Sequence, residues 1–251
     1  MASSAMTAPR APKWPSRLVV MRHAESEANL RRSYLEKQNL KEPYIGLGMR
    51  DADVPLTPAG REQARVTGRF LNDHGPFDVL YVSPYARTRQ TADLVVAELE
   101  SKPRVLIEER IREKEFGILE GLTRFGMREK FPEEFERRTR MRKYYYRPPG
   151  GESFPDVNLR LQSLLGTLVR EHAGRRVLVI THSVVVLLFR RLLERMEEQD
   201  VLDLDRQDEV KNASLLVYEL GSRDGRHGVL VRREWNLAPW ETTTAAPSVF
   251  P

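Results

Sequence analysis

The chain has 251 residues, 31% of them charged and 40% hydrophobic, with 41 Lys and Arg against 36 Asp and Glu and a formal net charge of +5. That length supports one large domain or two small ones with an independent core. No apolar run approaches the roughly 18 residues needed to span a bilayer, and the absence of cysteine removes disulfides, thiolate nucleophiles and cysteine-based zinc sites together.

The first 16 residues are rich in Ala, Ser and Pro and lack an apolar core. They read as a disordered tail and not as a signal peptide, and a cytoplasmic location is expected. Leu18-Val19-Val20-Met21 then reads as a short buried strand. It runs straight into Arg22-His23-Ala24-Glu25-Ser26-Glu27-Ala28-Asn29, so a guanidinium and an imidazole emerge together where the strand ends. Residues 30–54 form a long polar insertion. Thr57 followed by Pro58 opens a helix as N-cap and first-turn residue, with Ala64, Phe70 and Leu71 on its apolar face.

A second strand is predicted at 79–82. Ser83-Pro84 is expected to cap a helix reaching about residue 99, which places Arg87 about one turn in. A strand at 105–108 leads into Arg110-Ile111-Arg112-Glu113-Lys114-Glu115-Phe116-Gly117. Residues 122–147 are basic, aromatic and helix-prone, with nine Lys and Arg from Arg124 to Arg147 against four Glu. Such a block can bind nucleic acid, draw a small anion into a cleft, or be a solvated helical face. A helix is predicted over 156–171, with Val157, Leu161, Leu164, Leu165 and Leu168 at helical spacing. A strand at 177–181 ends in His182-Ser183, an apolar helix follows over 184–196, and a last strand is placed at 214–219. Residues 238–251 are expected to be a flexible tail.

Strands alternating with helices predict an α/β fold, a three-layer α/β/α domain over residues 17–237 around a mostly parallel central sheet. The insertions 30–54 and 122–150 would form helical lids, because loops this long inside a compact domain are usually functional. Ligands of such sheets bind beyond the carboxyl ends of the strands. His23 and His182 each sit at such an end, so they can meet although far apart in sequence. The helix starting near Ser183 would aim its N-terminal amides at the same pocket. Arg22 and Arg87 can hold a phosphate while a histidine attacks in line, and a carboxylic acid in the 110–117 segment can protonate the leaving alkoxide.

These motifs, in this order, resemble the histidine phosphatase superfamily, which includes the phosphoglycerate mutases. The resemblance spans about residues 17–220. Arg22-His23-Ala24 matches the signature Arg-His-Gly with alanine in place of glycine, a change that would tighten the turn. The resemblance implies His23 as nucleophile, with Arg22, Arg87 and His182 as the phosphate pocket. It implies Glu113, ahead of Phe116-Gly117, as proton donor, in competition with Glu115. Ser26 and Asn29 match positions that reach phosphate or substrate oxygens.

Tyr146-Arg147-Pro148-Pro149-Gly150-Gly151-Glu152-Ser153, with Asp156-Val157 and Arg160, is similar to a segment of phosphatase-type members and points to a bacterial or plant-type phosphatase branch. Arg147 and Glu152 in this segment, and Ser183 after His182, are candidate substrate residues. For Glu152-Ser153 the alternative is a Pro-Gly turn followed by a helix cap. Thr181 and Tyr34 are further candidates, and Arg89 reads as structural. His74, His172 and His227 read as surface residues, and no metal or cofactor is expected.

The expectation is a phosphomonoester hydrolase acting through a phosphohistidine on a phosphorylated small molecule. A mutase-type phosphotransferase is the enzymatic alternative. A non-catalytic binding module built on the 122–147 block is the alternative of another class. Neither nucleic acid nor membrane is an expected partner. A homodimer is compatible, since edge-strand dimers are common among related folds.

Overall fold

The computed structural model describes residues 12–242. The core is a six-stranded sheet of β1 (Arg17–Arg22), β2 (Val79–Val82), β3 (Arg104–Ile107), β4 (Arg176–Thr181), β5 (Leu215–Arg223) and β6 (Arg226–Leu237), in the order β3-β2-β4-β1-β5-β6. β3, β2, β4 and β1 run parallel, while β5 pairs antiparallel with both β1 and β6. The central strands are apolar on both faces, as strands covered by helices on both sides must be. Leu18, Val20, Val177 and Val179 face one layer, while Val19, Met21, Leu178 and Ile180 face the other.

α6 (Phe154–Glu171), α7 (Ser183–Glu194) and α8 (Glu198–Gln207) cover the first face. α2 (Pro58–Phe70) and α3 (Ala86–Glu98) cover the second. The predicted α/β/α architecture with its mostly parallel sheet is the one observed.

The structure departs from the sequence pattern at several places. β6 was not foreseen, because its Arg, His and Glu residues carry no apolar signal. It is an edge strand, folded back through Asp224-Gly225, both at positive φ as a tight hairpin turn requires. β3 lies on the opposite edge, with Val105 and Ile107 exposed. The polar insertion at 30–54 is helical in its first part: α1 (Glu27–Lys37) is started by a capping box in which Ser26 and Asn29 bond to each other's backbone N–H.

Ser83 does not cap α3. Its hydroxyl is held by His182, Tyr85 takes the N-cap position, and Arg87 falls on the second residue of the helix. Both presumed tails are partly packed. Ser16 N and Gly174 N donate across Trp14–Ser16 and 174–175, and Trp14 packs on the core. At the other end Ala238 is buried, and the Trp240 indole N–H donates to the Asn212 carbonyl at 2.7 Å. The remaining tail expectations, for residues 1–11 and 243–251, lie outside the described residues. His74 and His172 are half-buried instead of superficial, and Tyr81 Oη lies 2.8 Å from His172 Nε2.

The 122–150 insertion contributes α4 (Arg124–Lys130) and α5 (Pro132–Tyr145), the latter kinked at Arg142. The two insertions interlock. Ile45 N donates to Gly121 O at 2.8 Å, and Thr123 N to Pro43 O at 3.0 Å. Gly126 packs so closely on Pro43 that a Cβ would lie 1.8 Å from its carbonyl oxygen. No helix among the described residues is long and apolar enough to cross a membrane.

Candidate active site

β1 and β4 end side by side, with Arg22 in register with Thr181. Their parallel pairing delivers His23 and His182 to one spot, ring centroids 5.2 Å apart. His23 is fixed through its backbone: its N–H donates to Thr181 O at 2.8 Å, and its carbonyl accepts from Ala213 N at 3.1 Å and Asn212 Nδ2 at 3.2 Å. Ala24 N–H donates to Thr91 Oγ1 at 3.1 Å, which secures the turn at the residue that replaces glycine.

The His23 ring has a defined tautomer. Nδ1 lies 2.7 Å from the Ala24 carbonyl oxygen, an acceptor only, so Nδ1 carries the proton. Nε2 then keeps its lone pair and receives Arg87 Nε–H at 3.3 Å. Burial pushes the imidazole pKa well below its ordinary value, and the guanidiniums of Arg87 and Arg22 push it the same way. His182 is fully buried and shifted in the same direction, by burial and then by Arg87. Its Nε2 is 2.7 Å from Ser83 Oγ.

Arg22 is buried, donates to the Val210 carbonyl, and has its pKa lowered to about 10 by burial. Two buried polar atoms beside His23, Arg22 Nε and His182 Nδ1, have no hydrogen-bond partner among the described residues. Buried polar atoms are rarely left that way, and such an atom calls for a functional or ligand-based reason. The Tyr85 ring lies 4.9 Å from the His182 ring and 4.9 Å from the Arg87 guanidinium carbon.

Glu113 completes the cluster. Its carboxylate accepts from Lys114 N–H at 2.9 Å and from Ser183 Oγ at 3.5 Å, and its carbonyl accepts from Arg160 Nη2 at 3.2 Å. Burial raises its pKa above the ordinary 4.5, against the opposing pull of the Lys114 amide and of Arg87 and Arg22. Thr181 Oγ1 donates to Ile111 O at 2.6 Å, tying the Glu113 segment to the end of β4.

A sequence model of the histidine phosphatase superfamily (branch 1) matches residues 18–233. The chain belongs to this superfamily. A 2,3-bisphosphoglycerate-dependent phosphoglycerate mutase of Parvibaculum lavamentivorans is 33% identical over 226 residues, 88% of this chain and 99% of the relative. A mutase of the same name from Methylobacterium radiotolerans is 34% identical over 209 residues, 82% of this chain and 90% of the relative. Among solved structures, the α-ribazole phosphatase of Shigella flexneri superposes with a TM-score of 0.67 at 23% identity, covering 88% of this chain and 96% of that one. A mycobacterial glucosyl-3-phosphoglycerate phosphatase in complex with VO3 gives 0.65 at 23%, covering 88% and 99%. These two structures share the histidine phosphatase fold with this chain.

Within this member of the histidine phosphatase superfamily, Arg22, His23, Arg87, Glu113, His182 and Ser183 come together. Others are engaged elsewhere. Ser26 Oγ is used in the α1 cap, bonded to Asn29 Oδ1 at 2.9 Å. Asn29 Oδ1 accepts from Ser26 and Asn212, which leaves only its amide nitrogen for a ligand. Arg147 is exposed and pairs with Asp156, the residue that closes the α6 capping box with Ser153.

Glu152 braces the Glu113 segment from behind: it receives Arg160 Nε at 2.9 Å and the Glu115 amide at 3.0 Å. The cap reading of the Gly-Glu-Ser segment is thus the one the geometry matches. Asp51, Ser83, Tyr85 and Asn212 were missed. Ser83 and Tyr85 flank Pro84 beside Arg87, where a signal existed. Asp51 and Asn212 carry none, since their contacts span tens of residues of chain. Among the described residues no cluster of His, Asp and Glu is arranged to hold a metal ion.

Proposed function

We propose that this chain is a phosphomonoester hydrolase that works through a phosphohistidine at His23 on a phosphorylated small molecule. The observation that carries the reading is the pair of unpartnered buried nitrogens, Arg22 Nε and His182 Nδ1, the latter a donor where His182 Nε2 accepts from the Ser83 hydroxyl, flanking an imidazole whose Nε2 lone pair faces Arg87. Donors preset for an oxyanion around a neutral nucleophile are what in-line phosphoryl transfer uses. His23 Nε2 attacks phosphorus and the ester P–O bond breaks, while Glu113 in its acid form protonates the departing oxygen. Glu113, now a carboxylate, takes a proton from water as the water oxygen attacks phosphorus. The P–N bond breaks and its electron pair returns to Nε2.

The test is phosphate release from a panel of phosphate esters by the wild type and by His23→Ala, with quenching in alkaline denaturant to look for an alkali-stable, acid-labile phosphoprotein. The wild type should release phosphate and label, and the variant should do neither. Equal release by both, or none by the wild type, would refute the proposal. A second reading, transfer to another oxygen of the substrate, draws on the identity to proteins named phosphoglycerate mutases. It would replace the first if phosphoglycerate isomers interconverted in the presence of bisphosphoglycerate faster than phosphate appeared.

A further inference from the structure

Arg87 is held by an anion that belongs to the chain itself. Its Nη2 donates to Asp51 Oδ2 at 2.9 Å, and its Nη1 to Asp51 Oδ1 at 3.2 Å and to the Asp51 carbonyl at 2.5 Å, while Nε faces His23. This is the two-pronged geometry with which a guanidinium grips a carboxylate or a phosphate. The Arg87 side chain is buried, whereas that of Asp51 is 36% exposed and stands on the solvent side of the pair. Asp51 opens a short 3₁₀ turn, Asp51–Asp53, in the 30–54 insertion, and its own N–H donates at 3.1 Å to Oε1 of Glu120, which lies just ahead of the facing insertion. The carboxylate is therefore carried by the cover and not by the sheet.

We infer that Asp51 is a resident competitor for Arg87: it holds the guanidinium aimed at His23, yields it to the phosphoryl group, and reclaims it when phosphate departs. The inference rests on the phosphate-pocket reading of Arg87. Four of the five guanidinium N–H bonds lie on the two Nη atoms, and three are directed at Asp51. A phosphate on the same prongs would meet a carboxylate of like charge within a few ångströms. Both anions cannot keep the fork, so each lowers the other's hold on it, as linkage requires. A hydrolase gains from this arrangement, because inorganic phosphate is its product and a residue that contests Arg87 speeds its departure.

The sign of one measurement decides. Asp51→Asn keeps the shape and an acceptor oxygen but removes the charge, and Asp51→Ala removes both; the partial exposure of the site makes either compatible with folding. Binding of inorganic phosphate to the wild type and to both variants would be measured by calorimetry, together with its inhibition constant against a chromogenic phosphate ester. Both variants should bind phosphate tighter, by roughly tenfold, with a lower KM. If Asp51 only props Arg87 in place, the same variants would bind phosphate more weakly, and the inference would be overturned; unchanged affinity would overturn it equally. The outcome is separable from the proposed activity. A wild type without His23-dependent hydrolysis sinks the hydrolase reading even if Asp51→Asn tightens phosphate. An active wild type whose affinity does not rise on substitution sinks only the competitor.

Discussion

His23 and Glu113 are displaced in opposite directions from ordinary values of 6.5 and 4.5, and both displacements favour the forms that the proposed mechanism uses. The first step of the proposed mechanism needs a neutral imidazole and a protonated carboxyl at the same time. With unshifted groups, only about one molecule in a hundred would hold both forms at pH 5.5. Burial lowers the histidine and raises the glutamate, so both shifts enlarge the share of molecules that hold the productive form. The expected profile of kcat/KM is bell-shaped with its maximum below neutrality. Its acid limb is lost as His23 takes a proton, and its alkaline limb is lost as Glu113 gives one up. Glu113→Gln should lower kcat about 10²- to 10⁴-fold for alkyl phosphates and less for nitrophenyl phosphate, whose leaving group needs no proton. An alkaline limb that survives in Glu113→Gln would assign that limb to another group.

The elements around the pocket divide into a sheet that places the cluster and a cover that approaches it from above. Strand ends set Arg22, His23 and His182, and that part was legible in the sequence because buried parallel strands announce themselves as apolar runs. The cover was less legible. α1 was hidden in a polar insertion because its start depends on a side-chain exchange between Ser26 and Asn29 and not on apolar spacing. Ser83 looked like a helix cap, yet His182, 99 residues away, claims its hydroxyl. Contacts of that span leave no local pattern, which is also why Asp51 went unseen.

The junction of the two insertions can be tested at Gly126, whose place against Pro43 admits no Cβ without moving backbone. Gly126→Ala should cost about 1–3 kcal/mol by overpacking, and the strain falls on the cover. KM should rise severalfold and limited proteolysis should cut within 38–54 or 117–131 sooner, while phosphohistidine formation at saturating substrate persists. A variant with wild-type KM and wild-type proteolysis would show that the insertions move independently.

For the molecule as a whole, the same burial that readies the site makes the fold sensitive to acid. His23 and His182 both have pKa values well below 6.5 in the folded chain. Unfolding releases them to titrate near 6.5, so below that pH the unfolded state binds protons that the folded state refuses. Their contribution to stability is complete above 6.5 and is lost as pH falls toward the folded-state values. The loss is about 1.4 kcal/mol per pH unit for each histidine. His74 and His172, half-buried and shifted the same way, add to it. Glu113 acts oppositely. Its raised pKa means that the folded state takes the proton first, a contribution present below 4.5 and lost as pH rises through the folded value.

Two fully buried histidines against one carboxyl leave a net loss on acidification, and a formal charge of +5 at neutrality only grows as the pH drops. The urea midpoint should therefore fall measurably between pH 7 and pH 5.5, before surface carboxylates titrate. His182→Asn, which removes one of the two proton acceptors, should lower the midpoint at pH 7 through the lost Ser83 contact yet narrow the gap between the two pH values. A gap as wide in the variant as in the wild type would mean that the acid sensitivity resides outside the His23–His182 pair.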